Sequence, residues 1–347
     1  MNRTWEKSGK VKDPIRSKIA VIGAGSWGTA LSLTLARLGH AVRLWAYEEE
    51  VAESIRRHRE NTLFLPGFNL PDTIGSTTNL AEALEGAAFV LTVMPSHVCR
   101  TLHEQMLPFL NPEMVLVSAT KGLETGSLMR MSEVIHGVLA PRFEPRLAVL
   151  SGPSFAREVA RGDPTAVVVA SRDQEAARLV QKEFSSATLR LYTSSDVTGV
   201  ELGGAVKNVI AIAAGVIEGL GLGHNPKAAL ITRGLAEMTR LACACGARGE
   251  TLAGLAGMGD LVLTCTGDLS RNRSVGFELG RGRKLPDILA STRAVAEGVN
   301  TAGATLDLAR RRDVEMPITE QVQRILQDRI SPRDAIRELM DRTLKGE

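Results

Sequence analysis

The chain is poor in cysteine and in aromatic residues. Four cysteines, Cys99, Cys243, Cys245 and Cys265, stand among 347 residues. None forms a C-x-x-C, and no histidine lies at ligand spacing from Cys243 and Cys245, so neither structural zinc nor any other metal site is expected. Reduced thiols in apolar settings, in a reducing compartment, are the expectation. Aromatic residues make up 4% of the chain, too few for a platform that stacks single-stranded nucleic acid. An excess of one charge is also missing. The 42 basic and 39 acidic residues leave a net of +3, which argues against a nucleic-acid partner. A few basic residues gathered in one cleft still suit a small anionic substrate. Long hydrophobic runs are lacking too. Residues 1–17 are polar and charged, without the apolar core of a secretory signal. The most apolar stretch, 206–222, is interrupted by Lys207, Asn208, Glu218 and several glycines, and fails as a membrane span. A cytoplasmic protein without an integral membrane segment is expected.

What is present is enough apolar residue, 44%, to build sizeable cores, over a length that suggests about two domains. The first half alternates short β-rich runs (18–23, 41–45, 89–94, 115–119, 148–151, 166–170, 189–192) with helical patterns such as 29–38 and 174–184. This alternation predicts parallel β-α-β units in a doubly wound sheet. Near-continuous apolar strands such as 89–93 fit a sheet covered on both faces. Strand signals stop near Ser195. Helical spacing follows at 204–218, 226–245, 270–280, 300–311, 318–327 and 332–343, punctuated by glycine and proline. The expected organisation is α/β: a loose tail at 1–16, a Rossmann-type domain at 17–195 and an all-helical domain at 196–345.

The chemistry-bearing motifs sit where such a fold would use them. Gly23-Ala24-Gly25-Ser26-Trp27-Gly28 follows an apolar strand and opens a helix, the order a dinucleotide turn requires. Gly23 permits the tight turn, Gly25 lets a pyrophosphate approach, and Gly28 allows close helix–strand packing. Glu48, at the end of the next strand, stands where a carboxylate binds the ribose hydroxyls of NAD. Equally, the glutamates 48–50 could cap the following helix. Met94-Pro95-Ser96-His97 and Ala119-Thr120-Lys121-Gly122 fall near strand ends. Lys121 could hold a phosphate or a carbonyl there, or lie solvated on the surface, and His97 reads as a loop or helix-start histidine. Ser151-Gly152-Pro153-Ser154-Phe155-Ala156 is a strand-to-helix turn in which Ser154 could cap the helix. Lys207 lies in a strongly apolar helix. Burial there would lower its pKa toward neutrality and suit it to acid–base work, unless its ammonium reaches water. Gly257-Met258-Gly259-Asp260 puts a carboxylate after a glycine turn. Ser270-Arg271-Asn272-Arg273 begins a helix, and its two arginines suit an anionic head group.

Together these segments resemble the NAD(P)-dependent glycerol-3-phosphate dehydrogenases from about residue 18 to 340. The resemblance is carried by GAGSWGTAL (23–31), MPSH (94–97), ATKGLE (119–124), SGPSFA (151–156), ELGGAVKNVIAIAAG (201–215), ITRGLAEM (231–238), GMGDLVLTCT (257–266), SRNR (270–273), AEG (296–298) and EMPI (315–318), all in the family's order. It implies reversible hydride transfer between NAD(P)H and dihydroxyacetone phosphate, giving sn-glycerol 3-phosphate, a precursor for glycerophospholipids. The cofactor would be NAD or NADP, and a homodimer is left open. Ser26 and Trp27 would fall in the cofactor's phosphate turn, Tyr47 near its adenosine, and Ala156, Val295 and Glu297 along it. Lys121 and Arg271 would touch both cofactor and substrate. Gly152, Ser154, Asp260, Ser270 and Asn272 would line the substrate pocket, with Lys207 as the catalytic lysine. Asp260 would orient Lys207, and Lys121 would lower the pKa of Lys207 by like-charge repulsion. Tyr47-Glu48 replaces a basic residue that many members carry, which leaves the choice of dinucleotide open. Dehydrogenases of β-hydroxy acids or 6-phosphogluconate, and a non-catalytic nicotinamide-binding protein, are the competing readings. The SRNR segment and the GMGD turn argue against the first, and the pair Lys207 and Asp260 against the second.

Overall fold

The computed structural model describes residues 17–292 and 295–343; the expected tail at 1–16 and the last residues of the expected 196–345 domain lie outside them. Eight strands form one sheet: β1 (Lys18–Ile22), β2 (Ala41–Trp45), β3 (Ile74–Thr77), β4 (Phe89–Thr92), β5 (Val115–Ser118), β6 (Arg146–Ser151), β7 (Thr165–Ala170) and β8 (Leu189–Ser194). Their spatial order is β3-β2-β1-β4-β5-β6-β7-β8. Strand order reverses between β1 and β4. In open α/β sheets that is where a crevice opens beyond the carboxyl ends of the strands.

Seven helices accompany the strands: α1 (Ser26–Arg37), α2 (Glu49–His58), α3 (Leu80–Leu84), α4 (Cys99–Met106), α5 (Met131–Leu139), α6 (Ala156–Arg161) and α7 (Gln174–Phe184). Alternate residues of β1 feed opposite faces: Ile19 and Val21 join one buried cluster, Ala20 and Ile22 another. This double burial explains why the strands read as continuous apolar runs.

The doubly wound sheet is mostly parallel, with one reversal: β7 runs antiparallel to β6, and β8 then runs parallel to β7. One expectation needs correction here. The thiols are not all in apolar settings: Cys99 and Cys265 are buried, but Cys243 is exposed and Cys245 half-buried, all four being free.

After Ser194 the described chain is helical: α8 (Val197–Gly219), α9 (His224–Ala244), α10 (Gly249–Ala253), α11 (Asp260–Thr266), α12 (Arg271–Gly280), α13 (Leu285–Ala290), α14 (Glu297–Arg311), α15 (Pro317–Leu326) and α16 (Pro332–Met340). Helix α8 is apolar all round, as the central helix of a bundle must be. By length and composition it could cross a membrane, yet 94% of the qualifying window is buried inside the protein. Its neighbour α12 approaches at backbone distance. A Cβ on Gly276 would lie 1.9 Å from the Ile212 carbonyl, and one on Gly215 2.0 Å from that of Arg273. The expected glycine turn at 257–259 is instead a π-helical turn, Leu255–Gly259, that runs directly into α11. Gly257 packs there against the Leu252 backbone, where a Cβ would come within 2.1 Å.

Candidate active site

The crevice between β1 and β4 begins at the glycine turn. Gly23 has φ +120°, and a Cβ there would meet the Val93 carbonyl at 2.2 Å. A Cβ on Gly28 would meet the Gly23 carbonyl at 1.9 Å, whereas Gly25 faces open space. Helix α1 starts at Ser26 and has no side-chain cap, so its first N–H groups are available to an anion. The turn thus fits a dinucleotide pyrophosphate. Trp27 is half-buried and packs against the core. At the end of β2, Tyr47 is 81% exposed. Glu48 occupies the N-cap of α2, but its side chain makes no capping bond. The basic residues nearby are engaged elsewhere: Arg43 faces Glu82, Arg56 pairs with Glu49, and Arg57 pairs with Glu53.

Beyond β5 the chain presents Lys121, and from the helical half come Lys207 on α8 and Asp260 at the start of α11. The three meet. Lys121 Nζ donates to Asp260 Oδ2 at 2.7 Å, and Lys207 Nζ donates to Asp260 Oδ1. Lys207 Nζ also donates to Thr264 Oγ1 at 2.9 Å, and that hydroxyl donates to the Asp260 carbonyl at 2.5 Å. Lys207 and Asp260 are buried, while Lys121 keeps 19% of its side chain exposed. Burial, with Lys121 as a second positive charge, pushes Lys207 down to about 7, although Asp260 opposes the shift. Burial works to raise Asp260, but the two ammonium groups outweigh it and hold the carboxyl below its ordinary value. Gly204, one turn before Lys207, makes room for Ser151: a Cβ there would lie 2.6 Å from Ser151 Oγ, while Lys121 Cγ, at 3.6 Å, would be in ordinary contact.

The start of α12 supplies the next group. Ser270 caps the helix, accepting from Arg273 N at 3.2 Å. Arg271 makes no hydrogen bond to another described residue. It keeps open surface yet is walled closely enough that burial lowers its pKa, against the pull of Glu297. Asn272 is committed at both ends of its amide: Nδ2 donates to Asn208 Oδ1 at 2.9 Å, and Oδ1 accepts from Gly298 N at 2.9 Å. Arg273 does not belong to this group. Its guanidinium donates to Glu218 at 2.6 Å, to Asp268 at 2.5 Å and to the Gly267 carbonyl at 3.1 Å. The expectation of two arginines for one anion is therefore corrected to one, Arg271.

After β6, Gly152 has φ +144° beside Val167. Ser154 Oγ donates to the Gly152 carbonyl at 3.0 Å. The expected capping role falls instead to a backbone position, Phe155, and Ala156 is the first residue of α6. Val295 is half-buried. Glu297 accepts from Ser96 N at 3.0 Å and from Ser96 Oγ at 2.7 Å, which ties the start of α14 to the end of β4. Its burial raises its pKa, while the Ser96 bonds oppose. His97 is exposed in the 3-10 turn Ser96–Val98.

Sequence reasoning missed Thr264, Ser96 and Asn208 as partners of these groups. Thr264 lies four residues after Asp260, one helical turn, so it was findable once α11 was recognised. The Ser96–Glu297 contact spans 201 positions and leaves no local signal.

Fold and cleft together define a class: a two-domain oxidoreductase that takes a nicotinamide dinucleotide at a Rossmann half and closes the reaction site with a helical half. The family described as NAD-dependent glycerol-3-phosphate dehydrogenase N-terminus matches residues 18–177, and its C-terminus counterpart matches residues 196–337. A protein of Koribacter versatilis named glycerol-3-phosphate dehydrogenase (NAD(P)+) is 62% identical over 328 residues, covering 94% of this chain and 97% of that one. A protein of the same name from Geobacter sulfurreducens is 57% identical, covering 95% and 98%. The crystal structure of glycerol-3-phosphate dehydrogenase from Coxiella burnetii superposes with TM-score 0.90 at 41% identity, covering 95% of this chain and all of that one. The chain belongs to the NAD-dependent glycerol-3-phosphate dehydrogenase family, and its cofactor is NAD or NADP.

Proposed function

We propose that this chain reduces dihydroxyacetone phosphate to sn-glycerol 3-phosphate, reversibly, with Lys207 as the proton donor. The observation that carries this reading is the meeting of Lys121, Asp260 and Lys207 at the mouth of the dinucleotide crevice. A lysine held near pKa 7 can give a proton to a carbonyl oxygen and take it back at neutral pH. When bound, the dinucleotide supplies or accepts the hydride. Asp260 and Thr264 fix the Lys207 ammonium, leaving its remaining N–H for the substrate oxygen. Lys121 positions the same oxygen and keeps the pKa of Lys207 low. Arg271, charged and without a described hydrogen-bond partner, holds the substrate phosphate beside the α12 N-terminus capped by Ser270. Gly152 and Ser154 shape the wall opposite. Asn272 acts by aligning α12 with α8 and α14. Along the cofactor lie the 23–28 turn, Tyr47, Glu48, Ala156, Val295 and Glu297.

The product carries one phosphate and two free hydroxyls, the form in which a glycerol unit enters acylation, so we place the reaction upstream of glycerophospholipids. A cytoplasmic setting accords with four free thiols. A homodimer completes the proposal; light scattering at twice the chain mass would support it and a single-chain mass would remove it. The activity itself is tested by following absorbance at the reduced-nicotinamide band with dihydroxyacetone phosphate, separately with NADH and NADPH. Oxidation with either supports the reading, and oxidation with neither overturns it.

A further inference from the structure

Asn61 lies away from the reacting cluster, in the connection between α2 and β3, and is fully buried. Its amide nitrogen donates to the Ala24 carbonyl at 2.7 Å and to Thr29 Oγ1 at 2.9 Å. Thr29 Oγ1 donates to the same Ala24 carbonyl at 3.3 Å. Asn61 Oδ1 accepts from Phe64 N at 3.0 Å. A donor requirement on one side and an acceptor requirement on the other fix which way the amide faces.

Ala24 sits inside the glycine turn, between Gly23 and Gly25. A trans peptide directs its carbonyl and the following N–H to opposite sides. Drawing the Ala24 carbonyl inward onto Asn61 and Thr29 therefore turns the Gly25 N–H away from the protein interior. That N–H has no partner among the described residues, and Gly25 faces open space. We propose that Asn61 is a positioning residue of the cofactor site, holding the Ala24–Gly25 peptide so that the Gly25 N–H meets the dinucleotide pyrophosphate. The inference rests on the dinucleotide reading of the 23–28 turn. It gives the stretch from Asn61 to Phe64, a connection with no chemistry of its own, a part in cofactor affinity.

Two variants test it. Asn61→Asp keeps the shape and the acceptor for Phe64 N but removes both donors. The KM for NADH, at saturating dihydroxyacetone phosphate, is expected to rise about tenfold, the weight of one hydrogen bond to a charged group. At saturating NADH, kcat and the KM for dihydroxyacetone phosphate are expected to stay within about twofold of wild type. Thr29→Val removes the second donor at the Ala24 carbonyl, a hydroxyl, with little change of volume, and is expected to raise the KM for NADH about threefold. It carries the test should Asn61→Asp not fold. A purely structural role lowers the active fraction, hence the apparent kcat, and leaves the KM for NADH alone. An unchanged KM for NADH in the folded variants, with or without a fall in kcat, overturns the assignment of Asn61. Failure of the wild-type protein to bind either NADH or NADPH would overturn the dinucleotide reading instead.

Discussion

At the scale of single residues, charge placement decides the chemistry. Lys207 is buried, bonded to Asp260 and repelled by Lys121, and burial wins, leaving it near pKa 7. The sign of the pH dependence follows. Carbonyl reduction needs the protonated lysine, so kcat/KM for dihydroxyacetone phosphate is expected to be flat below about pH 7 and to fall as pH rises through it. Glycerol 3-phosphate oxidation needs the neutral lysine and is expected to fall as pH drops through the same value. Parallel pH profiles for the two directions would contradict the assignment. Arg271 has no competing hydrogen bond among the described residues, so Arg271→Ala is expected to weaken dihydroxyacetone phosphate by roughly 1.5–3 kcal/mol, read as a raised KM. Unphosphorylated glyceraldehyde, a poor substrate already, should be little affected by the change, and equal losses for both would misplace the phosphate pocket. For cofactor choice, the exposed Glu48 has no basic partner among the described residues, while Arg43, Arg56 and Arg57 face other glutamates. NADH should therefore serve at least as well as NADPH, and Glu48→Arg should shift preference toward NADPH, since repulsion of the 2′-phosphate is removed. A wild-type kcat/KM clearly higher with NADPH would show that another basic residue reads that phosphate.

At the scale of elements, what the sequence revealed and what it hid divide along physical lines. Short β-rich runs alternating with helical patterns marked seven strands. The eighth, β3 (Ile74–Thr77), escaped because Ile-Gly-Ser-Thr carries one apolar residue, yet Ser76 and Thr77 are buried. Helix α11 escaped because Gly257 and Gly259 read as a turn, while in the protein both lie in a π-helical turn that Gly257 lets pack on the Leu252 backbone. The motif residues Lys121, Lys207, Asp260 and Arg271 could be named from the sequence. That Asp260 orients Lys207 was an expectation; that the same carboxylate also bonds Lys121 became visible only in the fold. The separation of Arg271 from Arg273 could not be read at all, because it depends on Glu218 and Asp268 meeting one guanidinium and not the other. The α8–α12 contact is equally a matter of shape. Gly276→Val would force side-chain atoms into the Ile212 backbone, and overpacking of this kind costs about 1–3 kcal/mol or more. A lowered denaturant midpoint, with reduced activity from the displaced Ser270–Arg271 end, is expected; a midpoint equal to wild type would show that α12 can move away freely.

At the scale of the molecule, the proposed reaction site lies where the sheet half and the helical half meet. Lys121 comes from the sheet side, Lys207 and Asp260 from the helical side. Two further contacts hold the halves together. Ser96 binds Glu297. Glu201 on α8, buried, accepts from Arg130 Nη1 and Ser132 Oγ, each at 2.6 Å, and from Ser132 N at 2.7 Å. Removing Glu201 leaves the buried Arg130 with Glu133 as its remaining carboxylate and strips Ser132 N and Oγ of their acceptor, so Glu201→Ala is expected to cost about 1–3 kcal/mol of stability, measured by denaturant unfolding. A loss under about 1 kcal/mol would show that water replaces the carboxylate. All of this architecture serves one claim, that Lys207 is the group that moves the proton. The most direct measurement is turnover and NADH binding in Lys207→Met, side by side with wild type. The account predicts NADH affinity close to wild type and a loss of turnover of at least ~10²–10⁴-fold, the usual worth of general acid–base help. Near-normal turnover with dihydroxyacetone phosphate would contradict it and pass the role to Lys121.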